Sequence, residues 1–135
     1  MRVLCLDIGD VRIGVAISDP LGISTNGIET HRTEGREKDV AYFAEMAESR
    51  DCEKIVLGLP LNMDGTEGDR AALVREFGGA LAEASGLPVD YEDERLTTVE
   101  AEEILIEAGL SRQERRKVID KVAAEIILRS YLNKK

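Results

Sequence analysis

The N-terminal segment 3–19 has the sequence Val3-Leu4-Cys5-Leu6-Asp7-Ile8-Gly9-Asp10-Val11-Arg12-Ile13-Gly14-Val15-Ala16-Ile17-Ser18-Asp19. It predicts two strands joined by a tight turn. The run 3–6 is continuously apolar, which is typical of a strand covered on both faces and therefore central in its sheet. Gly9 and Gly14 fall where the backbone must bend sharply or let something approach closely. Asp7 then places an ionisable group where the first strand ends.

The length and composition indicate one globular domain spanning residues 1–135. The chain is 43% hydrophobic and 33% charged, and 135 residues bury one ordinary core. No signal peptide is recognisable, and no apolar run approaches the roughly 20 residues of a membrane helix. We therefore expect a cytoplasmic protein with no membrane partner.

The cysteine and histidine content limits the metal chemistry. Cys5 lies in the predicted buried strand and Cys52 in a charged connection, so they suggest no disulfide framework. His31 is the only histidine, which makes a zinc site of His and Cys ligands improbable. Any metal would have to be held by carboxylates.

The charge is unevenly distributed. The net charge is −9, but residues 1–110 carry net −14 and residues 111–135 carry 8 basic and 3 acidic side chains, net +5. A basic segment on an acidic body hints at an anionic partner. The same segment could also be only the solvated face of the last helix.

The periodicity predicts an α/β fold. Strands are expected at residues 3–6, 12–17, 23–30, 54–58 and 88–92, and helices at 35–50, 69–84, 97 to about 109, and 119–132. The first three strands should form an antiparallel meander, and the strands separated by helices should be parallel. The result is a mixed five-stranded sheet with helices on both faces.

The helices carry more specific signals. The buried face of the second helix should be the stripe Leu73, Phe77, Ala80, Leu81 and Ala84. Two capping boxes are predicted, Thr97-x-x-Glu100 and Ser111-x-x-Glu114.

Acidic and amide side chains follow three of the predicted parallel strands. Asp7 ends the first, Asn62 and Asp64 lie in the long loop 59–68 after the fourth, and Asp93 and Glu94 end the fifth. In open α/β sheets functional groups gather beyond the carboxyl ends of the strands, so these side chains should share one edge.

The last helix adds one more acid. Asp120 falls on the stripe of Ala123, Ala124, Ile127, Leu128 and Tyr131, at helical spacings. The two alanines would let the helix approach the sheet and carry Asp120 to the strand ends. Alternatively, Asp120 is a first-turn acid that complements the helix dipole.

Converging carboxylates favour a hard divalent cation. Like charges at close range raise each other's pKa unless a cation lies among them, and oxygen ligands suit Mg²⁺ or Mn²⁺. Two such ions can clamp the attacking and leaving oxygens of a phosphodiester. Nearby Arg12, Arg70 and Arg95 would then hold phosphates, or they would be ion-pair partners that keep the acids apart.

Four blocks of sequence, taken together, resemble one family. They are Leu6-Asp7-Ile8-Gly9 with Arg12-Ile13-Gly14-Val15-Ala16 and Ser18-Asp19, Val56-Leu57-Gly58-Leu59-Pro60 with 62–68, Asp93-Glu94-Arg95-Leu96-Thr97-Thr98 with Glu100-Ala101, and Ile119-Asp120-Lys121 with Ala123-Ala124, Ile127-Leu128 and Tyr131-Leu132.

In this order, from end to end, they resemble the YqgF family of RNase H-like proteins. That family is described as Holliday junction resolvases or as nucleases that mature the 5′ end of pre-16S ribosomal RNA. The resemblance implies the RNase H-like fold and metal-dependent phosphodiester cleavage. The family's acids fall by motif on Asp7, Glu94 and Asp120. The family usually has Lys where this chain has Val11, so no phosphate contact is expected there.

The leading hypothesis is an endonuclease with Asp7, Glu94 and Asp120 as catalytic metal ligands, using Mg²⁺ or Mn²⁺ at a two-metal site. Nucleic-acid contacts are predicted from Arg12, Asn62, Arg70, Arg95 and Lys121.

The substrate would be pre-ribosomal RNA or branched DNA, and the protein a monomer or a homodimer. A nucleotide-binding module is an alternative, because the Asp-x-Gly hairpin resembles the phosphate loop of actin-like ATPases and sugar kinases, although the chain has length for only one of their two lobes. A non-catalytic ribosome-assembly factor that binds RNA through the basic C-terminal segment is another.

Overall fold

The computed structural model describes residues 1–134, so Lys135, the end of the predicted domain, lies outside it. The elements, in chain order, are β1 Val3–Ile8, β2 Arg12–Ser18, β3 Thr25–Arg32, α1 Arg36–Ser49, β4 Lys54–Leu59, α2 Asp69–Ser85, β5 Val89–Asp93, α3 Thr97–Glu107 and α4 Arg112–Asn133.

The five strands form one mixed sheet in the order β3-β2-β1-β4-β5. The first three pair antiparallel, whereas β1 with β4 and β4 with β5 pair parallel. The predicted meander and parallel half are therefore confirmed. β1 is central, as its continuous apolar run indicates.

The sheet is covered on both faces because alternate side chains of β1 point in opposite directions. Leu4 and Leu6 belong to the core cluster that α1 and α2 cover. Val3 and Cys5 belong to the cluster on the other face, which α4 covers with Ile127 and its neighbours. A strand buried on both faces reads as uninterrupted apolar sequence, and this is why 3–6 contains no polar residue.

A close approach of α4 to β2 is made possible by Gly14. A Cβ at this position would lie 1.9 Å from the backbone oxygen of Asp120 and 3.0 Å from the backbone nitrogen of Lys121. Ala124 is buried in the cluster between α4 and the sheet, whereas Ala123 packs with Ala101 of α3. The predicted close approach of α4 is confirmed, but of the two alanines only Ala124 packs against the sheet.

Two predictions about helix ends are wrong. The final helix begins at Arg112, not near 119, because the Ser111 capping box is real: the Ser111 hydroxyl accepts from the backbone of Glu114, and the Glu114 carboxylate accepts from the backbone of Ser111. Asp120 consequently lies in the middle of α4, which excludes a first-turn role. The Thr97 capping box does not form, because Leu96 is the N-cap and Thr97 is buried as the first helical residue.

Other departures concern the extent of elements. Leu73 and Ala84 of the predicted α2 stripe are exposed, because the buried face is rotated toward Ala71, Val74 and Gly78. β3 lies two residues later than predicted, since residues 19–24 form a turn stabilised by the Asp19 side chain. β1 extends to Ile8, so Asp7 is part of the strand.

Across residues 1–134, no helix is both long and apolar enough to cross a bilayer.

The Gly14 contact gives a direct test of the fold. We expect Gly14→Ala to destabilise the protein by about 3 kcal/mol or more, the upper range for overpacking, because α4 must move away from the sheet. Gly79→Ala is the matched control: Gly79 lies within α2 with open space around it, and alanine there should stabilise by about 0.5–1 kcal/mol. Chemical denaturation of both variants measures the difference; equal effects would contradict the close approach.

Candidate active site

Asp7, Glu94 and Asp120 line one cleft of about 340 Å³ beyond the carboxyl ends of the parallel strands. The cleft is also lined by side chains or backbone of Ile8, Gly9, Pro60, Leu61, Met63, Arg70, Arg95, Leu96 and Thr98. The structure thus brings together three acids that are 26 or more positions apart in the sequence. Their roles in catalysis are not tested by this geometry and stay predictions.

Asp7 is placed by the alternation of β1. Side chains alternate between the two faces along a strand, so Asp7 lies on the same face as Val3 and Cys5. This is the face that α4 covers. Its cross-strand partner in β2 is Gly14, the residue against which the backbone of Asp120 packs. One glycine therefore sets Asp7 and Asp120 side by side.

Glu94 is placed by the end of β5 and by a second glycine. Its backbone N–H donates to the carbonyl of Leu59 at 3.2 Å, which continues the pairing of β4 and β5 by one residue. A Cβ on Gly58 would lie 3.3 Å from the carboxyl carbon of Glu94 and 2.8 Å from Ile127. Gly58 therefore leaves the space in which Glu94 turns toward Asp7.

Asp120 is held by an arginine of the first hairpin. The Arg12 Nε donates to the Asp120 carboxylate at 3.1 Å, and both side chains are partly exposed. An exposed pair of this kind contributes little to stability, but it fixes the direction of the carboxylate.

Asp7 and Glu94 share a proton. Burial, followed by the negative charge of Asp7, raises the pKa of Glu94 to about 9. Burial also raises the pKa of Asp7, an effect that the hydrogen bond with Glu94 opposes and the charge of Asp120 reinforces. Two carboxyl groups that are hydrogen-bonded to each other and shielded from solvent are not both charged unless a cation compensates them.

The three carboxylates are ligands of the kind that a hard cation prefers, but in this structure they are not arranged around a common point. Among residues 1–134, no group of three or more His, Cys, Asp or Glu side chains has the spacing to hold a metal ion. The Asp7–Glu94 pair supplies carboxylate oxygens on one side of the cleft. Asp120 is turned to Arg12, and it would have to leave that guanidinium to join them.

The three arginines make ion pairs in this structure. Besides Arg12 with Asp120, Arg70 donates to Asp10 at 3.0 and 3.1 Å, and Arg95 pairs with Asp93 at 2.7 Å. Arg70 and Arg95 line the cleft, whereas Arg12 reaches it only through Asp120. Contacts with phosphate remain a prediction for all three.

The other two predicted nucleic-acid contacts lie outside the cleft lining. The Asn62 side chain donates to the Thr66 hydroxyl at 2.9 Å, so it stabilises the loop between β4 and α2. Lys121 follows Asp120 on α4, and its backbone lies against Gly27 of β3. The structure therefore gives neither residue a place at the acids.

Two apolar residues in the cleft were not found from the sequence. Met63 and Leu96 are 69% and 61% exposed, although both line the cleft with the acids. Leu96 also has a left-handed backbone (φ 63°), which is strained for any residue with a Cβ. A leucine before a capping-box pattern gives no signal of a positive φ, so sequence periodicity could not have found it.

The sheet order, the flanking helices and the acidic cleft define a protein of the RNase H-like class. Solved structures agree on the fold: RuvC from T. thermophilus with a Holliday junction substrate matches with a TM-score of 0.61, covering 98% of this chain and 96% of that one at 17% identity. The fowlpox virus resolvase with junction DNA matches at 0.63, covering 99% and 98% at 13% identity.

The chain belongs to the RuvX family, whose model is described as "Holliday junction resolvase" and matches residues 1–134. A relative in Syntrophomonas wolfei is 49% identical over 98% of this chain and 94% of its own length, and one in Pelotomaculum thermopropionicum is 50% identical over 98% and 87%. Both are named "Putative pre-16S rRNA nuclease". The resemblance to the YqgF family is confirmed, and the chain is a member of a nuclease family.

The shared proton predicts a stability that falls with pH. The unfolded chain releases the Glu94 proton near the ordinary pKa of 4.5, whereas the folded chain keeps it up to about 9. In chelating buffer the free energy of unfolding should therefore fall as the pH rises through this interval. Glu94→Gln, which cannot ionise, should flatten this fall. The exposed control Glu83→Gln should leave it unchanged, and a wild-type slope retained by Glu94→Gln would contradict the shared proton.

The left-handed backbone of Leu96 predicts which of two substitutions is the more stable. Leu96→Gly should be more stable than Leu96→Ala by about 1 kcal/mol, because both remove the apolar side chain but only glycine is unstrained at this φ. Thermal unfolding of the two variants measures the difference. If alanine proves the more stable, Leu96 does not have a left-handed backbone in solution.

Proposed function

We propose that this chain is a metal-dependent endonuclease that processes the 5′ end of pre-16S ribosomal RNA. The observation that carries the proposal is the shared cleft of Asp7, Glu94 and Asp120, built by Gly14 and Gly58. The choice of RNA is supported by the names of relatives that are 49–50% identical over nearly the whole chain.

The acids would hold Mg²⁺ or Mn²⁺, one or two ions, through carboxylate oxygens of all three residues. A divalent ion bound there supplies Lewis-acid stabilisation of the phosphate and lowers the pKa of bound water. Asp7 and Glu94 would hold the ion in their deprotonated forms, and a nearby positive charge favours those forms.

The arginines would bind and orient. Arg70 and Arg95 line the cleft, and their ion pairs are with acids outside the catalytic three, so a phosphate can replace those partners at small cost. Their guanidinium groups suit bidentate contacts with phosphate oxygens. Arg12 would hold Asp120 in position until the cation and substrate are bound. Asn62 and Lys121 remain predicted contacts for more distant parts of the strand.

A Holliday junction resolvase is the second candidate. The family description and the fold of the junction-bound structures favour it. Paired nicks in a junction need two active sites and therefore a homodimer, whereas end processing of RNA needs one site and suits a monomer. For either substrate we propose a cytoplasmic enzyme, a location supported by two buried free thiols, Cys5 and Cys52.

A cleavage assay that offers both substrates tests the proposal. With Mg²⁺ or Mn²⁺ the wild-type chain should cut a pre-16S RNA 5′ fragment in preference to junction DNA, and chelator should abolish cutting. Asp7→Asn, Glu94→Gln and Asp120→Asn should each reduce the rate on the order of 100- to 10,000-fold. Glu83→Gln, an exposed change on α2, is the control and should cut normally.

Three outcomes would contradict the leading proposal. Preferential cutting of the junction would favour the resolvase. Equal cutting by Asp7→Asn would remove the acids from catalysis. RNA binding without cutting, unaffected by chelator or by Asp120→Asn, would favour a non-catalytic assembly factor that binds through the basic segment of α4.

A further inference from the structure

The rim of the acidic cleft carries two apolar side chains in a setting where polar ones would be expected. Met63 and Leu96 are both more than half exposed, beside three acids and two arginines. Single exposed apolar residues are ordinary on a protein surface, but here two of them line the same cleft as the acids. A ligand that fills this cleft would present anionic groups to the arginines and an apolar face to Met63 and Leu96.

Arg95 connects the two backbone segments that carry the apolar residues. Its Nη1 donates to the carbonyl oxygen of Met63 at 3.1 Å, and Leu96 is the next residue in the chain. The loop that carries Met63 is itself braced, because the Asp64 carboxylate accepts from the backbone N–H of Thr66 at 3.0 Å and from its hydroxyl at 2.6 Å. The backbone that carries Met63 is thus tied to the residue before Leu96, and both line one side of the cleft.

Leu96 also occupies a position where glycine would be the unstrained choice. It is the third residue of a turn that the Thr97 N–H closes onto the Glu94 carbonyl at 3.1 Å, and its φ is 63°. Glycine adopts this conformation freely. The leucine side chain contributes little to the core, since it is 61% exposed, so packing does not explain its presence there.

We propose that Leu96, together with Met63, is an apolar wedge that packs against an unpaired nucleobase next to the phosphate held at the acids. A base inside a duplex has both faces covered by its neighbours, so an apolar side chain can contact a face only where the strand is unstacked. Leucine and methionine side chains inserted between base steps are a known mode of recognition. The inference rests on the proposed nuclease function and adds to it a preference for strands that are splayed at the cut.

Binding of defined RNA probes tests the wedge without cleavage. The probes are an RNA duplex with one unpaired adenine and the same duplex with an abasic residue at that position, in a Ca²⁺ buffer. Wild-type protein should bind the adenine probe about tenfold more tightly, the order expected when a leucine side chain is largely buried against a base. Leu96→Asn, a residue that tolerates a positive φ, should lose most of this preference because a polar amide replaces the apolar contact.

Val99 provides a control variant for the binding test. Val99 is 53% exposed on α3, the helix that begins after Leu96, and it does not line the cleft. Val99→Asn should therefore keep the preference. Leu96→Gly should lose the preference while remaining folded, which separates the loss from misfolding. The wedge is overturned if wild type does not distinguish the probes, if Leu96→Asn keeps the preference, or if Leu96→Asn changes the oligomeric state in sedimentation, since Leu96 would then belong to a subunit interface.

The result is separable from that of the nuclease proposal. Protein that shows the base preference but cuts no substrate with Mn²⁺ would overturn the nuclease and support the wedge as an RNA-binding feature. Protein that cuts pre-16S RNA but binds both probes equally would support the nuclease and overturn the wedge.

Discussion

The contact between the backbone of α4 and Gly14 is the constraint on which the rest of the structure depends. It allows the helix to cover Val3, Cys5 and their neighbours on one face of the sheet. Because Gly14 is also the cross-strand partner of Asp7, the same contact decides where Asp120 lies relative to the first acid. Packing and site geometry are therefore not independent here, and a change that lifts the helix separates the carboxylates as well.

The position of α4 also has an electrostatic consequence. Ile127 of this helix and the Glu94 carboxyl group both lie close to Gly58, and burial is the largest cause of the raised pKa of Glu94. The apolar packing that stabilises the fold thus places a carboxyl pair where it cannot be fully charged alone. Such a pair is suited to a cation, because the ion relieves a repulsion that the fold itself creates.

The sequence was sufficient for the features that depend on periodicity and chain order, and insufficient for those that depend on local backbone geometry. The continuous run 3–6 and the alternation of strands with helices predicted the mixed sheet, and the Asp120 stripe predicted the buried face of α4. The Ser111 capping box forms and the Thr97 capping box does not, although both match the pattern Ser/Thr-x-x-Glu. Thr97 is buried and closes the turn that begins at Glu94, and a capping pattern does not encode that burial.

The site shows the same division. Chain order placed three acids at one edge, but it could not show that Asp120 turns to Arg12, or that Met63 and Leu96 stand beside the acids, because these depend on side-chain direction and on one positive φ. Strain at a residue persists only where its surroundings over-determine it, and here the turn that aims Glu94 into the cleft fixes Leu96 as well. The turn from Glu94 to Thr97 therefore contains both the acid and Leu96. The same backbone hydrogen bond would position the proposed metal ligand and the proposed contact with a base.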